Sequence, residues 1–160
     1  MKTIKIYTDG SARGNPGPGG FGIILEYGAH IKEISQGYRL TTNNRMELLS
    51  IIVAIESIKD PNNRIFVFSD SKYVVDAINK KWLFSWHTKG YKNKKNSDLW
   101  KRFLKTYSNK QISFYWVKGH AGHPKNERCD YLAVQASKGN DLHIDEGYES
   151  SIKPPKNLFS

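Results

Sequence analysis

A strand that runs into an acid and then into a glycine-rich stretch sets the terms for the whole chain. Residues Lys2 to Thr8 alternate, with Ile4 and Ile6 on one face and Lys5 and Tyr7 on the other, as in a half-buried strand. Asp9-Gly10-Ser11 follows directly, so a carboxylate stands at the strand's C-terminal end on the face of Tyr7. Next comes Arg13-Gly14-Asn15-Pro16-Gly17-Pro18-Gly19-Gly20, which reads as a turn and neither helix nor strand. A carboxylate beside a glycine-rich loop suits the holding of a cation and the close approach of a backbone. The same residues also suit an ordinary turn opened by Asp9, and this stretch alone leaves both readings open.

The rest of the chain reads as an α/β protein. Phe21 to Glu26 and Ile31 to Leu40 are expected strands, completing an antiparallel meander with the first. The cluster Thr41 to Asn44 supplies N-cap residues for a helix striped by Leu49, Ile52 and Val53, with Glu47 in its first turn facing away from the stripe. Arg64 to Ser69 is a nearly continuous apolar run, expected to be a strand buried on both faces, and it too ends on an acid, Asp70. Ser71 to Ile78 reads as a short helix that Lys80 to Trp86 continues, and Thr88 to Asn96 as a basic loop. Ser97-Asp98 caps a helix striped by Leu99, Trp100, Phe103, Leu104 and Tyr107. Gln111 to Val117 is the last strand, Lys118 to Pro124 the loop after it, and Asn126 to Ser137 a helix that buries Cys129 and carries Asp130. A domain over residues 1–139 is expected, followed by a loosely packed tail over 140–160, where no periodic signal appears.

Composition narrows the partners. The 160 residues hold no apolar run of membrane-spanning length and no signal-peptide core, and the single cysteine excludes an internal disulfide, which suits a reducing cytoplasm. Net charge is +10, and residues 80 to 105 alone hold nine basic residues against one acid, leaving +2 for the remainder. Trp82, Trp86, Tyr91 and Trp100 are interleaved with those cations, a pattern that nucleic-acid grooves use, although a solubilising surface has the same charge.

Strands one, four and five are separated by helices and are expected to be parallel neighbours, whose C-terminal ends form the binding edge of an open sheet. Asp9, Asp70 and the loop of His120 fall at such ends, and Glu47 and Asp130 start near the same edge. Carboxylates converging there need cations, and oxygen-only ligation points to Mg²⁺ or Mn²⁺. Singly, each acid has another reading: Glu47 as a capping-box acid with Asn44, Asp70 as a helix cap, Asp130 as a solvated helix residue.

The blocks Thr8-Asp9-Gly10-Ser11, Gly14-Asn15-Pro16-Gly17, Thr42 to Leu48, Ser69-Asp70-Ser71, Val117 to His123 and Asn126 to Asp130 resemble, in order, bacterial type 1 ribonuclease H. The resemblance implies the ribonuclease H-like fold, a five-stranded mixed sheet flanked by helices. It also implies hydrolysis of the RNA strand of an RNA–DNA hybrid to 5′-phosphate products by a two-metal-ion mechanism, in a monomer. By the same resemblance Asp9, Glu47, Asp70 and Asp130 would hold two Mg²⁺ ions, with Mn²⁺ the alternative, and His120 would move protons or help product leave. Gly10, Asn15, Asn43 and Asn44 match positions that approach the hybrid. Trp82 with Lys89, Lys92, Lys94 and Lys95 resembles the basic protrusion that grips the DNA strand. The protrusion is short here, and Lys72 and Asp76 stand where the resemblance to the best-known bacterial members implies uncharged polar residues, which puts substrate fit at issue. A related DNA nuclease of the superfamily and a catalytically inactive hybrid-binding module are the competing readings.

Overall fold

The computed structural model describes residues 2–119 and 122–153. The meander forms as expected: β1 (Lys2–Ala12), β2 (Gly17–Tyr27) and β3 (His30–Thr41) pair antiparallel. Both β1 and β2 are longer than the sequence suggests. Ser11 and Ala12 pair with Gly20 and Gly19, so half of the glycine run is strand and only residues 13–16 turn. Those glycines serve close approach. A Cβ on Gly20 would stand 2.6 Å from the carbonyl oxygen of Ala133, and one on Gly22 would strike that of Cys129. The backbone of α5 (Pro124–Lys138) therefore lies directly on the sheet.

Helix α1 (Asn43–Glu56) crosses the opposite face of the sheet. Thr42 is its N-cap, with Oγ1 accepting from Arg45 N at 3.2 Å, which displaces the Asn44–Glu47 capping box. The expected stripe is an all-round surface: Met46, Leu48, Ile51, Ile52, Ala54 and Ile55 are wholly buried. The helix is enclosed because α4 (Ser97–Tyr107) covers its back, with Trp100 and Phe103 wholly buried. Each such large side chain contributes about 1.5–3 kcal/mol through burial.

β4 (Asn63–Ser69) and β5 (Gln111–Trp116) join β1 in parallel, and the sheet order is β5-β4-β1-β2-β3-β6. β4 is not buried on both faces: Ile65 and Val67 point into the core, whereas Phe66 and Phe68 are half-buried on the other side, where α5 covers β1, β2 and β3. Between the strands, α2 (Lys72–Asn79) stops at Lys80, and the left-handed Lys81 (φ 61°) separates it from α3 (Trp82–Thr88), so the expected continuous helix is two.

Residues 140–153 of the expected tail are not loose, and 154–160 lie outside the described residues. Leu142 and His143 add a two-residue strand, β6, beside Gly37 and Tyr38, making a sixth strand, and α6 (Glu146–Ile152) follows. Asp145, only 6% exposed, caps α6 and accepts from Arg45 Nε (2.8 Å) and Nη2 (2.9 Å) and from Thr41 Oγ1 (2.7 Å). Arg45 also donates to both oxygens of Asp98, at 2.8 and 2.7 Å. A long-range ion pair, invisible to apolar periodicity, anchors this segment. No helix among the described residues is long and apolar enough to cross a membrane.

Candidate active site

The carboxylates meet because three layers touch at one point. The parallel β1–β4 ladder ends at the Tyr7–Phe68 pair, so Asp9 projects just past it, and Asp70 follows the last residue of β4. Gly10 sits against the backbone of Met46 and Glu47, where a Cβ would collide, so β1 presses on the first turns of α1 and brings Glu47 beside Asp9. From the other face, Gly22 lies opposite Asp9 in the β1–β2 register and beneath Cys129, which brings Asp130 to the same edge.

One oxygen each from Asp9, Glu47 and Asp70 lies within 4.8 Å of the others. Asp130 is adjacent rather than inside this triad: it shares two concave surfaces with Asp9 and Asp70 and acts on Asp9 electrostatically. Asp9 and Glu47 are each 9% exposed and hydrogen-bonded to each other. The Asp9 pKa is pushed up to about 7: burial is the largest cause, the bonds from Glu47 and Gly10 partly offset it, and Asp70 and Asp130 add to it. Burial, then the Asp9 charge, raises Glu47 well above the ordinary carboxylate range. Glu47 Oε2 is fully buried with no hydrogen-bond partner among the described residues. A buried, unpartnered carboxylate oxygen facing other carboxylates fits a hard divalent cation, and the all-oxygen donor set disfavours zinc.

Asp70 has structural ties as well. Ser71 caps α2 by accepting from Val74 N, so capping does not explain Asp70, and Trp116 Nε1 donates to the Asp70 carbonyl at 3.0 Å. His120 lies outside the described residues. Its preceding neighbour Gly119 stands against the Asp70 side chain, where a Cβ would be 3.0 Å from Oδ2.

The asparagines lock the turn before β2 onto α1. Asn15 Oδ1 accepts from Asn43 N (2.9 Å), and Asn43 Oδ1 accepts from Ala12 N (2.5 Å). Asn44 is exposed and lines both a hollow of about 410 Å³ over the carboxylates, with Gly10 and Lys72, and a larger one of about 660 Å³ beside it. The larger hollow contains Asn15, Thr42, Lys94, Lys95 and Asn96, of which Thr42 and Asn96 are not among the candidates the sequence supplies. Thr42 is the cap of α1 and Asn96 is tied to Arg45 and Tyr73, so only the tertiary placement brings them to the wall of this hollow.

The basic segment divides in two. Lys89, Lys92, Lys94 and Lys95 are exposed, as is Trp82 at 45%, beneath the Lys80 ammonium at 5.1 Å. Tyr91 and Trp100 are core residues, and Trp86 packs edge-on against Trp100, so of the four aromatics Trp82 alone is exposed.

This chain is similar to known proteins in sequence and fold. A family model described as RNase H matches residues 1–138. The chain is 52% identical over 150 residues to the ribonuclease H of Desulforamulus reducens, spanning 91% of this chain and 94% of that one. It is 51% identical over 155 residues to the ribonuclease HI of Shewanella oneidensis, spanning 94% and 97%. Among solved structures, LC9-RNase H1, a type 1 RNase H with the type 2 active-site motif, superposes with a TM-score of 0.76 at 31% identity, over 96% of this chain and 82% of the other. LC11-RNase H1, solved in complex with an RNA/DNA hybrid, gives 0.62 at 28% identity, over 84% and 96%. The motif order, the sheet and the acidic edge thus have one common explanation: this chain belongs to the bacterial type 1 ribonuclease H family.

Proposed function

We propose that the chain hydrolyses the RNA strand of RNA–DNA hybrids endonucleolytically, leaving 5′-phosphates, with Mg²⁺ as its working ion. The observation that carries this reading is the triad of buried Asp9 and Glu47 with half-buried Asp70, with its unpartnered Glu47 oxygen, at the edge where Asp130 also arrives. Two bound divalent ions would activate the attacking water and stabilise charge on the leaving 3′ oxygen. Asp9, Glu47 and Asp70 hold the ions, Asp130 completes the set, and His120 moves protons or assists release of product. The amide groups of Asn15, Asn43 and Asn44 bond to 2′-hydroxyls or base edges of the hybrid, and the 2′-hydroxyl is what separates RNA from DNA at such a site. Lys89, Lys92, Lys94, Lys95 and Trp82 hold the DNA strand. The relative LC11-RNase H1, solved with a hybrid, supports the choice of substrate.

The test is a labelled hybrid incubated with the protein in Mg²⁺ or Mn²⁺, beside matched RNA and DNA duplexes. Cleavage of the hybrid alone is expected. Asp9→Asn or Asp70→Asn should abolish it and leave hybrid affinity within about tenfold, because the phosphates are held by cations and backbone elsewhere. Cutting of the DNA duplex would favour the DNA-nuclease reading, and binding without cleavage the inactive module.

A further inference from the structure

On the side of the sheet that carries Asp9, α5 covers β1, β2 and β3, and the outward residues of β5, namely Gln111, Ser113 and Tyr115, are all exposed. The strand registers set the outward residues in rows. Tyr7, Phe68 and Tyr115 form one row, Lys5, Phe66 and Ser113 the next, and Thr3, Arg64 and Gln111 the third. In the first row the rings stack across the strands, with centroids 5.1 Å apart for Tyr7–Phe68 and 5.4 Å for Phe68–Tyr115. Phe66 tilts against Tyr115 at 5.9 Å. Among the described residues no helix covers β4 and β5 on this side, so exposed Tyr115 and the half-buried Phe66, Phe68 and Tyr7 form an apolar patch at the margin of α5.

Cations outnumber acids around the rings. Lys5 and Arg64 are exposed, and the Lys125 ammonium lies 5.2 Å over the Tyr7 ring. The acid beside them, Glu26, pairs with Lys5 in register and is closed by an ion pair with Lys125. Flat rings among exposed cations match a single nucleic-acid strand, whose bases stack and whose phosphates need cations. The position agrees: the Tyr7 row lies two residues, about 7 Å, below Asp9 along β1.

We propose that this face holds the single-stranded continuation of the nucleic-acid strand that passes the carboxylates, with bases against Tyr115 and Phe66 and phosphates at Lys5 and Arg64. The proposal rests on the function above for the identity of that strand. It concerns a surface separate from Trp82 and the basic loop, which approach from α3.

The experiment measures, in EDTA, the affinity of the protein for a fluorescent blunt hybrid and for the same hybrid with single-stranded RNA extensions at either end. The wild type should bind one extended hybrid about tenfold or more tightly than the blunt one, the scale of one or two stacked bases. The triple variant Lys5→Gln, Arg64→Gln, Tyr115→Ser, all at exposed positions, should lose that preference while binding and cleaving the blunt hybrid as before. Its salt dependence on the extended hybrid should flatten by about 0.7 for each phosphate no longer neutralised. Equal wild-type affinities for blunt and extended hybrids would overturn the proposal. So would a preference that survives the triple variant but disappears when Lys89, Lys92, Lys94 and Lys95 become Ala. A triple variant altered in oligomeric state but not in RNA preference would also overturn it and assign the face to a contact between copies. Failure of the parent reading has a different sign, no cleavage of blunt hybrid by the wild type, and the affinities in EDTA still decide the face.

Discussion

Replacing Asp145 with Ala tests whether the C-terminal segment belongs to the folded core. The Arg45 guanidinium is 3% exposed, and Asp145 is its more deeply buried partner, because the other carboxylate, Asp98, is 47% exposed. Burial works against the charge of Arg45, and the bonds to Asp98 and Asp145 outweigh it. Breaking one side of a buried ion pair costs about 3–5 kcal/mol, and the remaining Asp98 bonds place this case near the lower end. Loss of the Thr41 bond and of the α6 cap adds roughly 1 kcal/mol. The total, about 4 kcal/mol, corresponds to a fall in Tm of roughly 8–16 °C for a chain of this length. Urea and thermal unfolding followed by circular dichroism would measure it. Asp98→Ala, at a half-solvated partner, should cost about 1 kcal/mol or less. The double change Arg45→Met with Asp145→Leu should cost less than Asp145→Ala alone, since no buried charge is stranded. If Asp145→Ala stays within about 1 kcal/mol of wild type, or Asp98→Ala proves the costlier, the reasoning from burial fails.

Two further outcomes follow from the acidic edge and the basic loop. The folded pKa of Asp9, about 7, lies above its unfolded value near 3.9, so the folded chain keeps a proton that the unfolded chain releases. In EDTA, stability should therefore decline as pH rises from about 4 to 7, and Mg²⁺ or Asp9→Asn should lessen the decline; a flat urea midpoint across that range would contradict the assigned burial. Changing Lys89, Lys92, Lys94 and Lys95 to Ala should raise KM for the hybrid and spare kcat, and flatten log affinity against log salt by about 0.7–0.9 for each phosphate released. An unchanged salt slope would make these lysines a solubilising surface.

What can be read from the sequence is local chemistry plus connection rules. The Lys2–Thr8 alternation, the helices between strands one, four and five, and an acid at the ends of strands one and four are enough to place Asp9 and Asp70 on one edge of a parallel sheet. Glu47 is itself buried, beside Asp9, and the stripe of Leu49, Ile52 and Val53 understates how completely α4 encloses α1. Gly17, Gly19 and Gly20 read as a turn because glycine marks turns and close packing alike, and only the tertiary contacts, with Arg13, with Ser11 and Thr41, and with α5 in turn, separate the two uses. Trp100 and Tyr91 among lysines look the same whether they await a base or a core. The spacing of Trp100, Phe103 and Tyr107 carries the signal for the core, and the surrounding charge obscures it. Asp145 is out of reach, because its partner lies 100 residues earlier and ion pairs leave no period in a sequence.

That separation has a consequence for how the protein is made. The ribosome delivers Arg45 about 5–20 s before Asp145, at about 5–20 residues per second. Through that interval the meander and α1 have their hydrophobic partners in order of synthesis, but the guanidinium two residues from Glu47 lacks the carboxylate that later closes over it. The acidic edge has the same schedule, since Asp9 and Glu47 emerge early and the helix carrying Asp130 emerges late. The nascent chain therefore carries Asp9 and Glu47 long before α5 brings Asp130 beside them, and the segment that holds Asp145 neutralises Arg45 later still.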